Sequence, residues 1–263
     1  MKLLQLNDLA KLHNGSTVLF CKTDYLFEYF RFLQEHPHKA VLITGNSDYS
    51  ITDEMVSKVP SCIVKWFAEN ADTTDPRVEG LPIGIENSEE CILEGHGPGY
   101  EHAKQKIELL SKNYDVTPTK SIYANFSVDT HPSRVTVRSL CEEIPHITTE
   151  ISQHHSEINN KSYSNYAESI LDHKMVVVPR GNGVDCHRLW EVLALKRVAI
   201  IKRENALRYF YDLPIIILDR WEDLKNKELL DEKYDQVKSN SLKKVYAPYW
   251  IERIKNENFT NRS

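Results

Sequence analysis

The stretch from Met175 to Ile201, MVVVPRGNGVDCHRLWEVLALKRVAII, gathers the residue types of an anion site into one span. Its apolar run ends at Pro179 and reads as a buried strand, while Gly181 and Gly183 permit a tight turn with close backbone approach. A helix can start near Asp185 or Cys186, and its first turn would offer free N–H groups and a positive dipole end to a diphosphate. Arg180 and Arg188 add charge and bidentate geometry, with Asn182 in the same turn. Glu191 follows Arg188 by three residues, which puts both on one helical face and sets a carboxylate where ribose hydroxyls could be met. The same residues also fit an ordinary strand, turn and helix. In that reading Asp185 caps the helix, Arg188 and Glu191 pair on its surface and His187 is structural; the local pattern alone leaves the two evenly matched.

Elements of a particular kind must carry this stretch. TVLFC (17–21), AVLITG (40–45), CIVKWFA (62–68) and LPIGIE (81–86) read as strands, with a helical pattern in DYLFEYFRFLQEH between the first two. Residues 86–102 read as a glycine-rich loop leading into a helix at about 100–113. After YDVTPTK the alternation starts again: SIYANFS, a helix from about Pro132 to Leu140, a tyrosine-bearing helix near 163–171, MVVVP, CHRLWEVLAL, RVAIIK and PIIILD. This is a βαβ rhythm, which favours parallel sheets faced by helices, here in two α/β halves of residues 1–116 and 117–263. The amphipathic tail from WEDLKNKELL to VYAPYWIERIKN is expected to pack back over them.

Ligands of open parallel sheets lie beyond the carboxyl ends of the strands. That rule selects residues 45–48, 69–70, 86–87, 125–134 and 180–188. Arg134, at the mouth of the second half, is a phosphate candidate, with a solvated helix arginine as the equal alternative.

Composition narrows the partners. The chain has 263 residues, 41% of them hydrophobic, enough for a sizeable core. A net charge of -5 supplies no global field for nucleic acid or an anionic membrane. No apolar window reaches membrane-spanning length and the N-terminus does not read as a signal peptide, so a soluble, cytoplasmic protein is expected. Five scattered cysteines with no C-x-x-C spacing read as reduced thiols.

PRGNGVDCHRLWEVLALKRVAII followed by DLPIIILDRWEDL resembles the signature region of the exostosin-like glycosyltransferases of family 47. ITGNSDYSITDEM, KWFAEN with LPIGIEN, and YANFSVDTHPSR extend the likeness, in order, over most of the chain. The resemblance implies a GT-B architecture: two facing Rossmann-like parallel-sheet halves, with C-terminal helices packing back. A nucleotide-sugar donor would sit mainly on the C-terminal half and a glycan or glycoconjugate acceptor would approach from the N-terminal half. It further implies that Glu191 binds the donor ribose, and that Arg180 and Arg188, with the helix N-terminus, hold the diphosphate and stabilise the departing nucleotide. No D-x-D motif or His/Cys cluster with ligand spacing is present, so no catalytic metal is expected. No cofactor is expected either, the nucleotide-sugar being a substrate.

Members of such a family invert the anomeric centre, which requires one general base to deprotonate the acceptor hydroxyl. Asp48 in GNSDYS is the first candidate, Glu86 in PIGIEN the second and His96 the third. Asn46, Asn70 and Asn87 are better suited to acceptor hydroxyls than to proton transfer. The chain departs from animal and plant members in lacking their membrane anchor and stem, and so looks like a minimal soluble core of microbial or viral type. It also lacks a second glutamate seven residues after Glu191, where Val198 stands, which leans towards inversion. A UDP-sugar is the expected donor. Glucuronic acid, galactose, xylose and arabinose all remain open, with UDP-xylose the first to try. The competing reading is a catalytically inactive nucleotide- or glycan-binding module of the same fold. A dehydrogenase is disfavoured, since no G-x-G-x-x-G follows the first strand.

Overall fold

A computed structural model describes residues 1–88, 103–153 and 163–257. In chain order the first part contains α1 (Leu6–Ala10), β1 (Val18–Lys22), α2 (Leu26–Phe32), β2 (Ala40–Gly45), β3 (Ile51–Thr52), α3 (Asp53–Ser57), β4 (Ile63–Glu69), β5 (Ala71–Asp72), β6 (Val78–Leu81) and α4 (Ala103–Leu110). The second contains β7 (Lys120–Ala124), α5 (Ser133–Glu143), β8 (Ile147–Thr149), α6 (Tyr163–Leu171), β9 (His173–Val177), α7 (His187–Ala194), β10 (Val198–Lys202) and β11 (Ile215–Leu218). The helices α8 (Lys227–Val237) and α9 (Ala247–Lys255) close the chain.

Among the described residues the strands form a sheet of order β1-β2-β4-β6, a second of order β11-β10-β9-β7-β8, and a small β3-β5 pair. Every pairing within them is parallel. Parallel strands covered on both faces have no polar side, and all six residues of AVLITG are buried. The helices follow from 3.6-residue spacing: Leu26 and Phe30 on α2, Arg134, Val137 and Cys141 on α5, and Ala247, Trp250 and Ile254 on α9 are the buried sets.

One face of the first sheet packs on α2 and α3 through Leu26, Phe30 and Val56. One face of the second packs on α5 and α8 through Val137, Leu140 and Leu230. The remaining faces share a single apolar core. Ile43, Phe67 and Leu81 of the first sheet join Tyr123, Val176 and Ile201 of the second through Leu6, Leu9, Trp190 and Trp250. The two parallel sheets and the packing-back of α9 match the sequence reading. The fourth strand lies earlier than expected, ending at Leu81 rather than running through 81–86. Pro82 offers no N–H to a ladder and Gly84 turns the backbone at φ 69, a region that glycine enters freely. The helix expected at about 100–113 is seen as α4, and residues 100–102 of that expectation lie outside the described residues. No helix among the described residues is long and apolar enough to cross a membrane.

Candidate functional site

In the second sheet β7 and β9 lie side by side, yet the chain leaves β7 towards β8 and leaves β9 towards β10. The loops after β7 and β9 therefore part in opposite directions, and the crevice between them is the switch point where ligands of such sheets bind. A groove of about 290 Å³ opens beside it, lined among others by His131, Ser133, Arg180, Cys186, Lys202 and Trp221. Ser133 opens α5 and Cys186 immediately precedes α7, so the first turns of two helices border the groove.

Arg134 does not face solvent. Its Nε donates to the Arg180 carbonyl at 2.7 Å, Nη1 to Ser127 at 2.9 Å and Nη2 to Pro179 at 3.1 Å. The solvated-arginine alternative is thereby corrected: Arg134 is buried and staples the turn after β9 to the loop after β7. Burial, then the neighbouring charge of Arg188, lowers its guanidinium to about 10. Arg180 turns back on its own loop, donating to the Asn182 carbonyl at 3.0 Å. Gly181 lies against Arg134, where a Cβ would stand 3.5 Å from Nη2.

The rest of the loop is tied to the first half. The Gly183 amide donates to Asp48 Oδ1 at 3.1 Å and the Asp185 amide to Asn70 Oδ1 at 2.8 Å. The Asp185 carboxylate accepts from the Ile83 and Cys186 amides and from Trp190 Nε1, at 2.8 to 2.9 Å. His187 Nδ1–H donates to the Gly84 carbonyl at 2.8 Å. Asp185 is therefore no ordinary helix cap: the N-cap position is Cys186, with no side-chain cap, and Asp185 anchors one half to the other. Burial pushes its carboxyl up to about 7, against the pull of those three donors.

The face of α7 bearing Arg188 and Glu191 meets a different set of groups. Glu191 is buried, and its carboxylate pairs with Lys106 and accepts from Tyr166 Oη at 2.7 Å. Lys106 also lies 3.4 Å from Glu86 and over the Tyr163 ring. Burial alone would raise the Glu191 carboxyl; Lys106 and Arg188 outweigh it and hold it at about 2. Burial likewise opposes the Lys106 charge, but Glu191, Tyr163 and Glu86 prevail and raise it above the usual ammonium range. The surface Arg188–Glu191 pair of the ordinary reading is absent; Glu191 instead belongs to a buried charge cluster. Arg188 Nε is buried with no hydrogen-bond partner among the described residues, an unsatisfied donor on that helix.

The base candidates part company. Asp48 is exposed beside the Gly183 amide, Glu86 is buried against Lys106, and His96 lies outside the described residues. The expectation that Asn46, Asn70 and Asn87 serve acceptor hydroxyls is corrected. All three are buried with their amides bonded within the protein: Asn87 Nδ2 to Asn46 Oδ1, Asn46 Nδ2 to Asn7, Asn7 N to Asn87 Oδ1 and Asn70 Nδ2 to the Ser47 carbonyl. Sequence reasoning missed Lys106, Tyr163 and Tyr166, whose helices carried no motif. Glu69 was within reach of the strand-end rule. It ends β4, is buried, and accepts the Asn46 amide at 2.8 Å. Burial, then Asp185 and Asp48, pushes its carboxyl well above the usual range.

Among the described residues no group of three or more His, Cys, Asp or Glu side chains could hold a metal ion. No family model matches this chain. No curated protein matches it either.

Proposed function

We propose that the chain is a glycosyltransferase of GT-B type that moves a sugar from a nucleotide-sugar, a UDP-sugar first among candidates, to a glycan hydroxyl with inversion. The observation that carries the reading is the meeting of Arg180 with the N-termini of α5 and α7 at the groove beside the switch point of the second sheet. Behind it Arg134 holds the loop, and Arg188 lies near enough for its charge to act on Arg134. Cations and helix N-termini at such a crevice suit a diphosphate that gains charge as the sugar leaves. In this reading Arg134 holds the loop, while Arg180 and Arg188 meet the phosphates. Glu191, one turn along α7, is kept ionised by Lys106 and takes the ribose. Asp48, exposed and adjacent to that loop, is the base that receives the acceptor proton.

The inactive-module reading draws on the contacts that close the seam between the halves: Asp48 with Gly183, Asn70 with Asp185 and Gly84 with His187. An acceptor must find its way past them.

Thermal unfolding in the presence of UDP, GDP and CMP, free and as sugar conjugates, tests the donor site. At 100 times its dissociation constant a native-state ligand adds about 2.7 kcal/mol, a shift of several degrees. Stabilisation by one nucleotide with sugar release supports the transferase, stabilisation without turnover supports the module, and no stabilisation by any overturns both.

A further inference from the structure

Glu69 and Asn70, consecutive at the end of β4, reach two different loops. Glu69 Oε2 accepts the Asn46 amide at 2.8 Å. That side chain thus holds the backbone of the turn that leads into Asp48. Asn70 Nδ2 donates to the Ser47 carbonyl at 3.3 Å, while its Oδ1 accepts the Asp185 amide at 2.8 Å. Asn46 and Asn70 sit at φ 54 and φ 52, left-handed conformations that persist where the surroundings enforce them. Gly183 completes the junction, since a Cβ there would stand 3.2 Å from Asn70 Nδ2 and 3.3 Å from Asp48 Oδ1.

We infer that Glu69 and Asn70 are positioning residues that couple the loop 181–187 to the turn carrying Asp48, so that the anion-binding loop and the carboxylate beside it move as one unit. The coupling itself stands on hydrogen bonds; only the proton-transfer role of Asp48 rests on the transferase reading. The arrangement explains two otherwise costly features. A buried carboxyl is retained at Glu69 because the Asn46 amide needs an acceptor there. A buried asparagine is retained at Asn70 because it can donate to one loop and accept from the other.

Asn70→Gly keeps the left-handed backbone and deletes both side-chain bonds. Backbone amide exchange in the ligand-free protein is expected to quicken at least tenfold at Asn46 and Ser47 and also at Gly183 and Asp185, with Ile200 in β10 unchanged as the check on folding. Rates within twofold of wild type at either segment overturn the coupling. Glu69→Gln is nearly isosteric and keeps one acceptor oxygen. It is expected to quicken exchange at Asn46 and Ser47 while sparing Asp185, and an effect at neither segment overturns the role of Glu69. Where the wild type turns over a UDP-sugar, Glu69→Gln is expected to lower kcat at least tenfold and hold donor KM within threefold, as a base displaced by a fraction of an ångström would. An unchanged kcat overturns its positioning role. A wild type that turns over no donor sinks the transferase reading instead, and the exchange rates alone then decide the coupling.

Discussion

Asp48 and Gly183 lie 135 residues apart in sequence, yet the Gly183 amide donates to the Asp48 carboxylate at 3.1 Å. The exposed acid of the first half thus touches the glycine loop of the second. Asp48→Asn keeps an oxygen for that amide, so its stability should stay within about 0.5 kcal/mol of wild type. Transfer should fall by about 10² to 10⁴, the usual worth of a general base. Initial rates with the donor found by thermal shift check this, and wild-type turnover would move the base to Glu86 or His96.

Lys106 stands between two buried carboxylates, Glu191 and Glu86. Lys106→Met strands them without a counter-charge and should cost about 3 to 5 kcal/mol in urea unfolding, part of which Glu191→Gln should restore in the double variant. Glu191 also sets an acid limb. Its folded value of about 2 lies below the ordinary 4.5, so its stabilisation is full above about pH 4.5 and disappears as the pH falls towards 2. Glu191→Gln should flatten that limb.

Asp185 acts in the opposite sense. Its folded carboxyl is raised from 3.8 to about 7, so the native state holds the proton longer than the unfolded chain does. Its contribution is therefore most favourable below about pH 4, declines as the pH rises to 7 and is then constant. Urea midpoints compared at pH 5 and pH 8 should show a loss at the higher pH, and Asp185→Asn should reduce that loss.

Arg134 spends its guanidinium on the carbonyls of Ser127, Pro179 and Arg180. A lysine cannot reach all three from one point charge. Arg134→Lys should leave buried carbonyls unsatisfied and cost about 2 to 3 kcal/mol, read as a lower urea midpoint at unchanged slope. It should also weaken nucleotide binding by loosening the loop that bears Arg180. Full stability in this variant would show the staple to be dispensable.

Much of the fold was legible because it is local. Apolar runs such as AVLITG and VAII read as strands because they are short and bounded by turn residues, and Val137 and Cys141 are spaced to share one side of a helix. The β3-β5 pair and β8 escaped notice because two or three residues carry no period.

The candidate site was legible in its ingredients and not in its assembly. PRGNGVDCHRLWE announces a glycine turn, arginines and a helix start, and the apolar run before it puts these at the carboxyl end of a strand. It could not determine what each group meets. Asp185 and His187 read as local residues, yet their partners are Ile83, Asn70 and Gly84. Glu191 was expected to pair with Arg188 or a ligand, but Lys106, on a helix without a motif, neutralises it. Arg134 read equally well as a solvated residue until the loop after β9 closed over it. The division has a physical reason. Periodicity and turn chemistry act between neighbours within about one helical turn, whereas burial and charge pairing depend on which segments the shared core brings together. That the first half's strand ends clasp the second half's glycine loop follows from the packing of the two sheets on one core, which no local pattern encodes.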